Sequence, residues 1–489
     1  MKKLVAVIVV IGLILMSRSI VHASDGDLDT TWGGDGVVVS THTDASAAYA
    51  IANYPDNRVL VVGSVTDLTA SRILVNRFLS DGSADTSCNG TGEFIDAVKD
   101  AITSDVIVLP DGSFVVAGTM QINNKGTLFV AKFTSTCNLD AMFGTAGIAT
   151  YSALFGTSGR ALVVQSDGKI VVVGDESSTV SDSSDKRILI TRFSDLGILD
   201  TSFGSNGRFI SSSNEKGQAQ DVVIDSSGRI IFTGSIVGTL APDAAIVGRL
   251  TRNGQLDSTF ATLGYFINEF NGDAQLDAID IRPNGNLVAI GTHVVSYSTG
   301  PQNALIVCLT DQGALDSTCN SVGWDFLSDF PNDVYADDVF VTPDNKILFS
   351  GASDDGNPRP FVMRLNHNGT PDNSFATSGM WRGTSLIGRM YSVTIQSDGR
   401  ILAAGEIEVQ GTMSVGIVRL ANTVVTPTTT TTTSTTVAPL VTTSTTIPTT
   451  TIAPEQLPAT GSQFDSLTVA LLLTALGSIV VAARRRTSH

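Results

Sequence analysis

The sequence predicts an all-β protein, a seven-bladed β-propeller built from seven four-stranded repeats of about 57 residues, followed by a disordered Thr-rich stalk and a C-terminal apolar helix. Three observations predict the propeller: a Leu-Asp motif that recurs seven times, four short β-rich runs in each repeat, and the lack of any stretch with the 3.6-residue period of an amphipathic helix in that region.

The chain opens with Lys2 and Lys3, an apolar run from Leu4 to Met16, and Val21-His22-Ala23. The small-residue ending and the shortness of the run read as a signal peptide over residues 1–23, with Ser24 as the mature start. Residues 24–421 carry the repeats. The motif Leu-Asp-x-x-Phe-Gly, or a variant of it, places its aspartate at Asp29, Asp85, Asp140, Asp200, Asp257, Asp316 and Asp372, with spacings of 56, 55, 60, 57, 59 and 56. A second element is a turn followed by an apolar strand ending in glycine, from Pro55-Asp56-Asn57 to Gly63 in the first copy and from Ser397-Asp398-Gly399 to Gly405 in the last. A third is a strand ending in a basic and an apolar residue, such as Arg77-Phe78 and Arg419-Leu420; Cys308-Leu309 replaces it in the fifth copy. In the third copy the four runs are Gly147 to Tyr151, Arg160 to Gln165, Lys169 to Val173 and Arg187 to Phe193. Ring closure would remove the exposed sheet edges. An open β-solenoid is the competitor, but it has shorter coils and needs caps that the sequence lacks.

These units resemble the delta-60 repeat, a bacterial family whose copies run through LDxxFGxxG and pDGkilvaG. The resemblance covers Leu28 to Leu420 and is broken by Cys88 and Cys319 at the Phe position. It implies the fold and brings no settled activity with it. The chain enters at Gly36 to Ser40, the run after the motif, and leaves at Gly416 to Leu420, the run before it. The first run is therefore expected to complete the last blade as its outer strand.

Residues 422–456 form a Thr/Pro-rich linker, with 17 threonines between Thr423 and Gln456 and almost no charge. Too few large apolar side chains are present to build a core, so an extended stalk of roughly 100 Å is expected, at ~3.1 Å per residue. Residues 457–489 hold Leu457-Pro458-Ala459-Thr460-Gly461, an apolar transmembrane segment at 467–483, and Arg484-Arg485-Arg486. This order resembles the cell-wall sorting signal of sortase substrates in Gram-positive bacteria. The resemblance implies cleavage between Thr460 and Gly461 and joining of the Thr460 carbonyl to a peptidoglycan amine. The apolar segment would halt export and the arginines would hold the tail inside.

Only 16% of the 489 residues are charged and 42% are hydrophobic, which excludes a polytopic membrane protein. The net charge of −17 becomes more negative once the cationic ends are removed, so phosphate backbones and anionic lipid are disfavoured as partners.

The motif aspartates recur once per unit, which suits carboxylates that cap their own turns and pair with the basic residue of the third strand. Non-recurrent positions say more. Five residues before each turn, on the expected innermost strand, stand Ala50, Asp105, Ala161, Asp221, Ala278, Asp338 and Ser392. Asp105, Asp221 and Asp338 would thus converge on the channel, with Arg160, Asp277 and Asp337 beside them. They could hold a Ca2+ ion or a polar ligand; the simpler expectation is that each caps a neighbouring strand or faces water. Asp25-Gly26-Asp27-Leu28-Asp29 has the start of a calcium loop but lacks the later Gly and Glu. His42, His293 and His367 fall at unrelated repeat positions, and no nucleophile elbow or phosphate loop appears, so no catalytic signature is found. Export permits two disulfides among Cys88, Cys137, Cys308 and Cys319, and the local choice of the three connectivities pairs Cys308 with Cys319 and Cys88 with Cys137.

The expected function is a cell-wall-anchored surface protein, a partner of sortase and peptidoglycan, whose propeller binds an extracellular glycan or protein. The alternatives are a wall-displayed polysaccharide hydrolase or lyase, signalled by a buried carboxylate pair with one raised pKa, and a structural coat protein.

Overall fold

The computed structural model describes residues 24–422 apart from 68–69, 97–99, 178–184, 238–242, 296–301, 328–332 and 355. The signal peptide, the stalk from 423, the 467–483 segment and the sorting motif Leu457 to Gly461 lie outside the described residues. Among the described residues no helix is long and apolar enough to cross a membrane.

Seven four-stranded antiparallel sheets form the blades, each with its first strand innermost. In blade 1 the strands are Ala45–Asn53, Val59–Thr66, Ser71–Phe78 and Glu93–Ile95. The inner strands of the others are Ala101–Val108, Thr157–Val164, Gly217–Ile224, Asp273–Ile281, Asp333–Val341 and Gly388–Ile395. Blade 7 takes its outer strand from the other end of the chain: Val37–Ser40 pairs with Thr412–Leu420, Val37 opposite Val418. This latch closes the ring, and each repeat is correspondingly out of phase with the blades. Ile148–Tyr151, the opening run of the third repeat, is the outer strand of blade 2.

The apolar residues do not share one core. Seven clusters form instead, each between two adjacent blades; the last joins Trp32, Ala48, Ile51 and Val61 to Leu402, Ala404, Val415 and Ile417 across the closure. Strands buried on both faces explain why the second and third runs of each repeat are continuously apolar.

One feature of the sequence reads differently in three dimensions. The second strand does not end at its glycine; in blade 1 it runs three residues past Gly63 to Thr66. Gly63 is there because the inner strand bulges at Tyr49, shifting the register between Ala48 and Ala50. A Cβ on Gly63 would lie 1.8 Å from the carbonyl oxygen of Ala47, and one on Gly405 would lie 1.9 Å from that of Arg389. Each repeat's glycine is thus the partner of a β-bulge.

Candidate functional site

Each of the seven inner strands carries this bulge, and it turns an extra side chain toward the axis. The extra residues are Tyr49, Ser104, Arg160, Gln220, Asp277, Asp337 and Tyr391. With the next residue along each strand, Ala50, Asp105, Ala161, Asp221, Ala278, Asp338 and Ser392, they line one central cavity enclosing about 400 Å3 of space open to solvent. The structure therefore brings Asp105, Asp221 and Asp338 together in the channel, on alternate blades.

Their oxygens, however, are engaged with main chain. Asp105 accepts from the N–H of Val106 and, across the blade boundary, from that of Leu162 at 2.8 Å. Asp221 does the same with Val222 and Ile279, also 2.8 Å. Asp338 accepts from Val393 N–H and the Ser392 hydroxyl. Asp280 repeats the device between blades 5 and 6, accepting from Val341 N–H. These carboxylates staple neighbouring inner strands. Burial pushes Asp105 up to about 7 and Asp338 up to about 6, against the pull of those N–H groups, and drives Asp221 well above the usual carboxylate range. Among the described residues no three His, Cys, Asp or Glu side chains are arranged to hold a metal ion.

Two other carboxylates differ. Asp337 forms a two-pronged ion pair with Arg389, its Oδ2 2.7 Å from Nε, and the guanidinium stacks 4.5 Å from the Tyr335 ring and 5.2 Å from that of Tyr391. Asp277 accepts from the Gln275 amide through Oδ1. Among the described residues its Oδ2 has no hydrogen-bond partner, nor does the side chain of Gln220. Burial pushes Asp277 up to about 7; Gln275 pulls it down, nearby Asp337 adds to the rise, and Arg389 and Arg160 oppose it. Arg160 is held by Asp175 and Gln218, and Gln218 donates on to Gln275, so a polar chain crosses blades 3, 4 and 5. Tyr49 and Tyr391 lie with ring centroids 5.3 Å apart, and the Tyr391 hydroxyl donates to Glu406.

The motif aspartates lie elsewhere, in the connections between third and outer strands. In six blades the carboxylate accepts from the N–H, and usually the hydroxyl, of a Ser or Thr two residues on, as Asp200 does from Ser202. The arginine of the third strand completes the unit: Arg192 reaches Asp200 at 2.9 Å and covers the Phe203 ring at 4.7 Å. In blade 2 the arginine is Lys132, and Met142 stands where the hydroxyl would be. The two cysteine departures also fall here. Cys88 bonds to Cys137 between blades 1 and 2, and Cys308 bonds to Cys319 within blade 5. The Asp25 to Asp29 run joins the same network, Asp25 pairing with Arg364 and Asp29 with Arg419 and Arg400. His42 contacts Glu93 at 2.8 Å, and His293 is buried against Phe326.

The site is thus the non-repeating channel of a seven-bladed propeller. Residues 55–87, 165–203, 342–375 and 396–423, in blades 1, 3, 6 and 7, match the family described as "Domain of unknown function (DUF5122) beta-propeller". No curated protein matches the sequence. Among solved structures, the polysaccharide lyase Uly1 is similar at 10% identity over 81% of this chain and 96% of its own, with a TM-score of 0.46. Sqt1 of Chaetomium thermophilum shares 12% identity over 77% and 96%, TM-score 0.40, and Drosophila Semaphorin 2a 8% over 81% and 76%, TM-score 0.44. Likeness at this level says nothing about activity.

Proposed function

We propose that this is a cell-wall-anchored surface protein that carries its propeller on the 422–456 stalk and binds an extracellular glycan in the central channel. The observation that carries the reading is the bulge ring. Packing makes the scaffold repeat sevenfold, yet Tyr49, Ser104, Arg160, Gln220, Asp277, Asp337 and Tyr391 form a mixed aromatic and polar set at a bulged position that faces a solvent-open cavity. Small polyhydroxyl ligands are held by such mixtures of ring faces and fixed hydrogen-bonding groups.

Many tethered copies would add weak contacts through avidity. The test has two parts. Muramidase should release the protein from walls, and a chain lacking Leu457 to Gly461 should stay in the membrane fraction instead. A glycan array should give hits that Tyr391→Ala abolishes; an unchanged array pattern would remove the channel as the site.

A second reading, a polysaccharide hydrolase or lyase, is favoured by Asp277, a carboxyl titrating near neutrality beside Asp337. Depolymerisation of any glycan that binds, lost in Asp277→Asn, would establish it.

A further inference from the structure

We propose that Asp277 receives the ammonium group of a deacetylated amino sugar, with the rings of Tyr49 and Tyr391 against the sugar. The inference rests on the channel being a glycan site and names the class of glycan.

Asp105 and Asp221 use both oxygens on main-chain N–H groups, Asp338 takes Val393 N–H and the Ser392 hydroxyl on Oδ2 and is also held by the Val339 main chain, and Asp337 uses both of its oxygens on Arg389. Asp277 keeps Oδ2 open, and Gln220, on the neighbouring blade, presents an amide with no partner among the described residues. An open carboxylate oxygen in a half-buried cavity favours a ligand that donates hydrogen bonds to it.

Charge selects the donor. The two guanidiniums near Asp277 are already balanced, Arg160 by Asp175 and Arg389 by Asp337. The carboxyls facing Asp277 around the ring are Asp337, Asp338, Asp221 and Asp105, so an anionic sugar would meet repulsion. A neutral hydroxyl brings no countercharge for the ionised form of Asp277. An ammonium supplies both the donors and the countercharge, so its binding ionises the carboxyl. The overall charge of −17 draws cations in.

Titration calorimetry of the full chain tests this at pH 6 with a glucosamine hexamer and its fully N-acetylated counterpart. The amine form is expected to bind at least about 10-fold tighter and, measured in two buffers of different ionisation enthalpy, to release up to about one proton per site. Asp277→Asn should lose that preference with a melting temperature at least as high as the parent's, since it removes a buried ionisable group. Gln220→Ala, which leaves every carboxylate in place, should weaken binding several-fold and keep the proton release. If the acetylated hexamer binds equally well and Tyr391→Ala abolishes it, the ammonium assignment falls and the glycan site stands. If neither hexamer binds while other glycans do, the assignment also falls; if no glycan binds at all, both readings fall. Stoichiometric displacement of the hexamer by Ca2+ would overturn the proposal in favour of a metal.

Discussion

Arg282 donates from Nη1 to the carbonyl oxygen of His367 at 2.6 Å and places Nη2 3.3 Å from the sulfur of Cys308. In other blades the arginine ending the third strand makes the reach into the next blade: Arg77 to Ser135, Arg192 to Arg252, Arg249 to Asp311 and Arg419 to Ser80. Blade 5 has Cys308 at that position, and its guanidinium comes from the first turn instead. The charge that ties blade to blade is kept although its residue has moved, and the vacated pair of positions, normally Arg over Phe, holds the Cys308–Cys319 disulfide.

Arg282→Ala should therefore cost more than a surface arginine. It leaves the His367 carbonyl without its donor at a blade boundary and strips the disulfide of its cover. Hydrogen bonds from a charged donor contribute about 1.5–3 kcal/mol, Arg282 is 3% exposed, and urea denaturation should show a loss in that range. Arg252→Ala, which removes an exposed ion pair with Asp167 and a hydrogen bond to Ser166, should change stability by less than about 1 kcal/mol.

Blade 1 solves the same vacancy from the other side. Cys137 occupies a position that is glycine in most repeats, with φ of +60°, and there the glycine lies under the preceding blade's aromatic ring, as Gly254 does under Phe203. The Cys88–Cys137 bond thus stands in for ring-over-glycine packing. Cys88→Ser should lose about 2–4 kcal/mol. The double variant Cys88→Phe, Cys137→Gly should recover at least half of it under reducing conditions; no recovery would show that the site cannot accept the repeat's own packing.

Much of this was legible in the sequence. The spacing of Asp29 through Asp372 counts the blades, and turn residues such as Asn57 and Asn345, each at φ of +64°, mark the first hairpins because those positions need the left-handed region. The latch follows from where the chain enters the repeat. The channel was only half visible. Alternation picks out Ala50, Asp105 and their equivalents, but a bulge makes two successive residues face the axis, so Tyr49, Ser104, Gln220 and Tyr391 escape a period of two. Arg160, Asp277 and Asp337 show themselves only by their charge. The stapling of Asp105 to Leu162, 57 residues on, depends on how blades dock and has no local signal. Arg389 was missed for a similar reason, since its partner Asp337 belongs to the preceding blade.

The latch carries the closure of the ring, so removing residues 24–42 should abolish cooperative unfolding and not merely lower its midpoint. Those residues supply the fourth strand of blade 7, the Asp29 partner of Arg419, and Trp32, which is fully buried in the cluster between blades 7 and 1. Trp32→Ala alone should cost about 3–5 kcal/mol with cooperativity retained. Calorimetry separates the two: a single sharp transition in the truncated chain would mean that six and three-quarter blades close without the latch.

The pH dependence of stability combines two sets of carboxylates of opposite sign. Burial raises Asp105 and Asp277 to about 7 and Asp280 and Asp338 to about 6, so the folded state holds their protons more tightly than the unfolded chain does. Their contribution is complete below the ordinary carboxylate pKa of ~4 and is lost as pH rises toward 7. The motif carboxylates behave oppositely. Burial opposes ionisation of Asp200, Asp257 and Asp372, but hydrogen bonds from Ser202, Thr259 and Ser374 and the nearby cations outweigh it and hold all three below their usual range. Their contribution is present above ~4 and disappears as pH falls below it. The melting temperature should therefore peak near pH ~4 and decline toward pH ~7. Asp105→Asn should flatten the alkaline decline and leave the acid limb unchanged, whereas Asp372→Asn should flatten the acid limb alone. A melting temperature that rises steadily from pH 5 to 8 would mean that the channel carboxyls are ionised in the folded protein.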